Sequence, residues 1–117
     1  MAPPSILIIE DEEYLRNLYA EVLCDYAVES VDDGLKALKK NKRYDLYVVD
    51  IGLPGMDGLK TIENLKKAHG DIKTIVVTGY DVVKYSRELE ESAVNGILQK
   101  PFKVFDLLTT VEEILEK

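Results

Sequence analysis

Cysteine is almost missing from this chain. A single one, Cys24, rules out an internal disulfide and suits a reducing compartment. Cys24 lies in an apolar stretch with helical spacing, so it reads as a buried, inert thiol rather than a redox group. Long hydrophobic runs are missing too, and no segment approaches the roughly 18 apolar residues of a membrane span. The N-terminus carries no apolar stretch of the kind that directs secretion. These absences point to a cytoplasmic protein without membrane attachment. Histidine is as scarce as cysteine: the one copy, His69, ends an amphipathic stretch with no ligand neighbour and reads as a solvated side chain. Positive charge is in deficit, with 15 basic against 22 acidic residues and a formal net charge of −7. Such a surface repels a polyanion and argues against direct nucleic-acid binding, while it suits basic protein partners or multivalent cations. No glycine-rich nucleotide-binding loop is present, which argues against ATP bound to this chain.

What is there is a soluble, globular composition. Hydrophobic residues make up 46% and charged residues 32% of 117, enough for a real core but for only one domain, residues 1–117. Residues 1–4, with Pro3 and Pro4, read as a frayed tail. Short apolar runs then alternate with amphipathic stretches. Ser5–Ile9 reads as a buried strand, and Glu12–Cys24 follows with Leu15, Leu18, Tyr19, Val22 and Leu23 on one helical face. Ala27–Val31 is a second strand, and Asp33-Gly34 opens a helix over Leu35–Lys42. Leu46–Val49 is a third strand, Leu59–Ala68 a helix, and Thr74–Val77 a fourth strand. Val82–Val94 is a weakly patterned fourth helix, Gly96–Leu98 a short fifth strand, and Val104–Glu116 a fifth helix. Five β-α pairs with strands apolar on both faces predict an α/β fold in which a parallel, doubly wound sheet is covered by helices.

In open α/β sheets ligands gather at the carboxyl ends of the strands. The first strand ends in Glu10-Asp11, the third in Asp50, the fourth in Thr78-Gly79 and the fifth in Lys100-Pro101. Three carboxylates that meet on one rim resist full ionisation unless a cation joins them. A hard divalent cation with oxygen ligands is the natural occupant, and Mg²⁺ suits one or two carboxylates plus waters. Lys100 supplies a point charge for a phosphoryl oxygen and Thr78 a hydroxyl donor for another. A carboxylate nucleophile in that company is equipped to form an acyl phosphate.

The residues that carry this chemistry also carry a resemblance. Ile6–Glu12 is similar to the opening of response-regulator receiver domains, whose first strand ends in an acidic pair. Val48–Gly58 resembles their phosphorylation segment, Val76–Tyr80 the strand with the switch hydroxyl, and Asn95–Phe102 the lysine-proline segment. The resemblance implies a five-stranded, flavodoxin-like (βα)₅ sheet of order 2-1-3-4-5. It implies Asp50 as phosphoacceptor, with Glu10, Asp11, Asp50 and the backbone carbonyl of Gly52 around Mg²⁺. Thr78 would swing toward the phosphoryl group and Lys100 would bridge it, aimed by a cis bond before Pro101. The donor would be a histidine kinase or a histidine phosphotransfer protein. The output would be a downstream protein, an effector domain of a longer regulator, or a phosphorylation-dependent dimer, reached through a face with Thr78, Ile97 and Pro101.

The departures from the pattern are specific. Glu10 stands where aspartate is commoner, and Ile97 where many receivers carry the aromatic that turns inward with the threonine. Gly52 and Tyr80 occupy positions that often tune autodephosphorylation. Tyr14 widens the apolar face of the first helix, and Tyr14, Leu15 and Leu18 form a candidate docking edge that competes with plain core packing. Two other functions compete with the signalling domain, itself not expected to be an enzyme. One is a degenerate receiver that only binds protein. The other is a Mg²⁺-dependent phosphohydrolase, against which Gly52 removes the second aspartate that such enzymes place two residues after the nucleophile.

Overall fold

The computed structural model describes residues 2–51, 58–79 and 93–116. Five strands run in parallel: β1 (Ser5–Ile9), β2 (Ala27–Val31), β3 (Leu46–Asp50), β4 (Thr74–Thr78) and β5 (Gly96–Gln99). Helices α1 (Glu13–Val22), α2 (Gly34–Lys39) and α3 (Gly58–His69) follow the first three strands. The last described helix, predicted as the fifth of the chain and labelled α4 here, spans Val104–Leu115. The sheet order is β2-β1-β3-β4-β5, as expected for the doubly wound, flavodoxin-like α/β fold. The register sets Ile8 beside Val48, Val49 beside Val76, and Thr78 beside Gln99.

Alternation along each strand divides the core. Leu7, Ile9, Tyr47, Val49 and Val76 point to one face, where Ala37 of α2 and Ile62 and Leu65 of α3 cover them. Ile6, Ile8, Leu46, Val48, Ile75 and Val77 point to the other, under Tyr19 of α1 and Leu107 and Val111 of α4. The period of two along a strand requires this split, and a strand covered on both sides must then be apolar throughout. That holds for β1, β3 and β4 but not at the sheet edges. Glu29 and Ser30 of β2 and Ile97 and Gln99 of β5 are exposed, so the expectation of strands apolar on both faces is corrected there.

Other expectations shift as well. Helix α1 ends at Val22 rather than Cys24: Leu23 leaves helical geometry, and the chain turns. Cys24 is consequently exposed, not the buried thiol that continued helical spacing suggested. Helix α2 stops at Lys39 instead of Lys42, because Lys40 is extended and Lys40 and Lys42 both reach across to Glu29, at 3.3 and 3.1 Å. Of the expected helix 82–94 only Ala93 and Val94 lie among the described residues; both are non-helical, with Ala93 at a φ of 51°. Pro4 is tied to the sheet, its carbonyl accepting from Ala27 N at 2.9 Å.

Candidate functional site

The strand order reverses between β1 and β3: the chain leaves β1 toward β2 on one side and leaves β3 toward β4 on the other. The loops after β1 and β3 therefore part, and the carboxyl ends of these strands border a crevice. Glu10 and Asp11 follow β1 into it, and Asp50 is the last residue of β3.

The carboxylate oxygens of Glu10, Asp11 and Asp50 lie within 4.8 Å of one another. Glu10 is only 1% exposed and Asp50 7%, while Asp11 faces solvent. Lys100, just past β5, bridges the two buried carboxylates, its Nζ 3.3 Å from Glu10 Oε1 and 3.2 Å from Asp50 Oδ2. The Lys100 backbone N–H donates to the Thr78 carbonyl at 2.7 Å, which fixes the base of that side chain to the end of β4. Thr78 itself is buried at the same rim. The Lys100-Pro101 bond is cis, as the resemblance implied.

The electrostatics reflect the crowding. Burial pushes the Glu10 carboxyl up to about 7, helped by its hydrogen bond with Asp11 and by the charge of Asp50; the Glu12 N–H and Lys100 oppose this. For Lys100, burial works against the charged form, but the charges of Asp50 and Glu10 prevail and raise it. Tyr19, beneath the site, is pushed up to about 12, first by burial and then by Glu10.

Three oxygen-bearing side chains so placed suit a hard divalent cation: the set is all carboxylate, and one lysine cannot neutralise three acids. Asp11 is the exposed member of the set. The site residues expected from sequence thus divide cleanly. Glu10, Asp11, Asp50 and Lys100 come together, and Thr78 and Pro101 share their rim. Gly52 and Tyr80 lie outside the described residues. Ile97 is 40% exposed on β5.

The candidate docking residues are also divided. Tyr14 is 74% exposed, whereas Leu15 and Leu18 are half-buried against a cavity of about 270 Å³ that Tyr19, Pro101, Phe102 and Val104 also line. The sequence reading passed over three residues that shape the site. Arg16 donates to the carbonyls of Glu10 and Asp11. Tyr19 stacks on Phe102 with ring centres 6.1 Å apart. Gly58 packs on the backbone of Asp50 and Ile51. A cation one helical turn beyond an acidic pair was the only available hint of the first.

A family model described as the response regulator receiver domain matches residues 6–112. The chain belongs to this family. Among curated proteins, it is 37% identical over 119 residues to the sensor kinase CckA of Brucella abortus, covering 97% of this chain but 13% of that protein. It is 29% identical to the response regulator MprA of Mycobacterium sp. (strain KMS), covering 98% of this chain and 52% of that protein. It is also 29% identical to the sporulation initiation phosphotransferase F of Bacillus subtilis, covering 98% and 96%. The chain thus spans about half or less of the first two relatives. Among solved structures, a CheY-like receiver domain from Methanospirillum hungatei superposes with a TM-score of 0.90 at 27% identity, covering 98% of this chain and 95% of that one. Vibrio cholerae chemotaxis protein CheY4 does so with a TM-score of 0.89 at 26%, covering 97% and 100%. Among the described residues of this receiver, no helix is long and apolar enough to cross a membrane.

Proposed function

We propose that this receiver is a phosphoacceptor switch: Asp50 takes a phosphoryl group from a phosphohistidine on a histidine kinase or a phosphotransfer protein, and the acquired charge changes partner binding. The observation that carries this reading is the placement of Asp50, a strand-end carboxylate held 3.2 Å from the Lys100 ammonium and within 4.8 Å of two further carboxylates.

In the step, a carboxylate oxygen of Asp50 attacks phosphorus, the P–N bond breaks, and the imidazole leaves with its electron pair and takes up a proton. An acyl phosphate remains on Asp50. Lys100 turns its ammonium to a phosphoryl oxygen and holds the new charge, and the Thr78 hydroxyl donates to another. Burial of Glu10 and Asp50 keeps water sparse around these contacts and strengthens each of them. Glu10, Asp11, Asp50 and the Gly52 carbonyl would hold Mg²⁺. When bound, the ion neutralises charge on the transferring group.

The readout is a population shift at the face that carries Thr78, Ile97 and Pro101. Ile97, exposed and aliphatic, takes the place of the aromatic that many receivers use there. Leu15 and Leu18, which line the cavity next to Lys100, form with the exposed Tyr14 the edge on which the phosphodonor docks. The protein acts in the cytoplasm, as the sequence reading had it, and its partner is a downstream protein, an effector domain or a second copy.

The test is intact-protein mass after incubation with Mg²⁺ and acetyl phosphate, for wild type and Asp50→Asn. One added phosphoryl group in wild type, lost in Asp50→Asn and after chelation, is the expected result. An unmodified wild type overturns the phosphoacceptor reading and leaves a protein-binding module. A label that survives in Asp50→Asn moves the acceptor elsewhere.

A further inference from the structure

Acidic side chains that crowd one rim push their own backbone apart, so a site of this kind needs something that holds the loop from behind. Glu10 has two such ties. Its N–H donates to the Val31 carbonyl at 3.1 Å, and its Oε2 accepts from the Glu12 N–H at 3.1 Å. Asp11 is exposed, and the tie on its backbone is of a different kind. Arg16 Nη1 donates to the Glu10 carbonyl at 2.8 Å and to the Asp11 carbonyl at 3.0 Å. One nitrogen with two N–H groups thus satisfies two successive peptide oxygens.

The local sequence accounts for this geometry. The first hydrogen bond of α1 runs from Arg16 N to the Glu12 carbonyl at 3.0 Å and fixes the Arg16 Cα one turn above the loop. Helical side chains lean toward the N-terminus, so a long cationic residue at this position lies back over the segment that precedes the helix. Two peptide planes held by one guanidinium leave Asp11, which sits between them, little freedom in φ and ψ. The direction of its carboxylate follows.

We propose that Arg16 is a positioning residue for the divalent cation: it holds the Glu10 and Asp11 peptide groups so that the Asp11 carboxylate stays aimed at Asp50. The inference rests on the metal-binding reading above and adds a residue that touches neither metal nor phosphoryl group. An opposite consequence of the same side chain has to be weighed. A guanidinium near a cation site repels the cation, so if its charge outweighed its hydrogen bonds, its removal would tighten binding. Groups behind the ligands of metal sites typically contribute 10- to 100-fold in affinity, and the two short bonds place Arg16 among them.

The experiment is Mg²⁺ titration by isothermal calorimetry on the full chain, for wild type, Arg16→Met and Arg16→Lys, with metal-free urea denaturation of each. Methionine keeps the apolar stem but has no donor. It should raise the Mg²⁺ dissociation constant about 10- to 100-fold while metal-free unfolding stays cooperative. Lysine, whose single ammonium can serve two carbonyls, should recover most of the loss. An Arg16→Met constant within about twofold of wild type, or a tighter one, overturns the proposal. So does a lysine variant as weak as methionine. Should Arg16→Met fail to fold, Arg16→Gln, whose shorter amide stops short of the carbonyls, carries the same expectation. A wild type that binds no Mg²⁺ sinks the metal reading itself, a result distinct from an Arg16 variant that binds normally.

Discussion

Gly58, the first residue of α3, gives the sharpest test of how the site is built. A Cβ placed on it would lie 2.5 Å from the Ile51 Cα, 2.6 Å from the Asp50 carbonyl oxygen and 2.9 Å from the Ile51 Cγ2. Two of these neighbours are backbone, and both belong to the segment that presents Asp50. An ordinary contact begins near 3.4 Å, so Gly58→Ala forces the first turn of α3 and the end of β3 apart by about 1 Å. Overpacking of this kind costs about 1–3 kcal/mol. Alanine returns up to about 1 kcal/mol of helix propensity, and less in a first turn than in an interior. The clash therefore wins, with a net loss of about 1–2 kcal/mol, or a melting point lower by roughly 4–8 °C.

The larger effect should be on chemistry, since a displacement near 1 Å in a reacting group can cost about 100-fold in rate. Urea denaturation and the rate of labelling by acetyl phosphate measure the two consequences separately. Gly70→Ala is the control: its φ is +79° and nothing lies within 4 Å of the added carbon. That change should cost about 1 kcal/mol through backbone strain alone and leave labelling untouched. A Gly58→Ala protein as stable as wild type and labelled at the wild-type rate would refute the claim that this close approach sets the position of Asp50.

Other perturbations follow from single contacts. The Thr74 hydroxyl is buried without a partner among the described residues, so the near-isosteric Thr74→Val should stabilise the fold by about 1 kcal/mol in urea; a loss would mean that the hydroxyl is bonded. Hydrogen bonds from Lys42 and Tyr44, and then Lys40, hold the Glu29 carboxyl down at about 2. A depressed carboxyl stabilises the fold above its unfolded value near 4.5 and loses that contribution as pH falls toward 2. Glu29 is 43% exposed, so screening reduces the effect to about 1 kcal/mol. Glu29→Gln should flatten the stability profile between pH 4.5 and 2, and an unchanged slope would assign it to other acids. Mg²⁺ at ten times its dissociation constant should stabilise the fold by about 1.4 kcal/mol, an effect that chelation reverses and Asp11→Asn removes. A thermal shift that survives in Asp11→Asn places the ion elsewhere.

The central strands were legible in the sequence to within one residue, because a parallel strand covered on both faces must be a short apolar run and little else has that form. Errors arose where a tertiary contact overrode local pattern. Nothing in Lys40–Lys42 forbids a helix, yet both lysines are drawn to Glu29, 11 and 13 residues away, and α2 ends early. Helical spacing likewise carries on past Val22, while the chain turns at Leu23 and exposes Cys24. At the site, the acids and the lysine were legible because a parallel sheet delivers every strand end to one rim. Arg16 was not, since its partners are peptide carbonyls that any residue carries, and Gly58 was not, since what it avoids is another stretch of backbone.

Lys100 shows why the four strand-end segments act as one unit. Its ammonium contacts Glu10 after β1 and Asp50 of β3, and its own N–H is bonded to Thr78 of β4. One residue after β5 thus meets groups from three other strands. With all its acids ionised the rim would carry three negative charges against this single positive one, and burial answers by raising Glu10 to about 7. An ammonium alone cannot resolve that deficit, whereas a divalent cation can. In the proposed switch, a phosphoryl group on Asp50 would offer Lys100 oxygens farther from β3 than the carboxylate oxygen it contacts at 3.2 Å. Lys100, which also contacts Glu10 at 3.3 Å, would then exchange its Asp50 contact for a phosphoryl oxygen, and the β5 end of the sheet, beside Pro101 and Phe102, would feel the change first. Phe102, in the segment between β5 and α4, stacks on Tyr19 of α1, so the β5 end of the site is joined directly to α1.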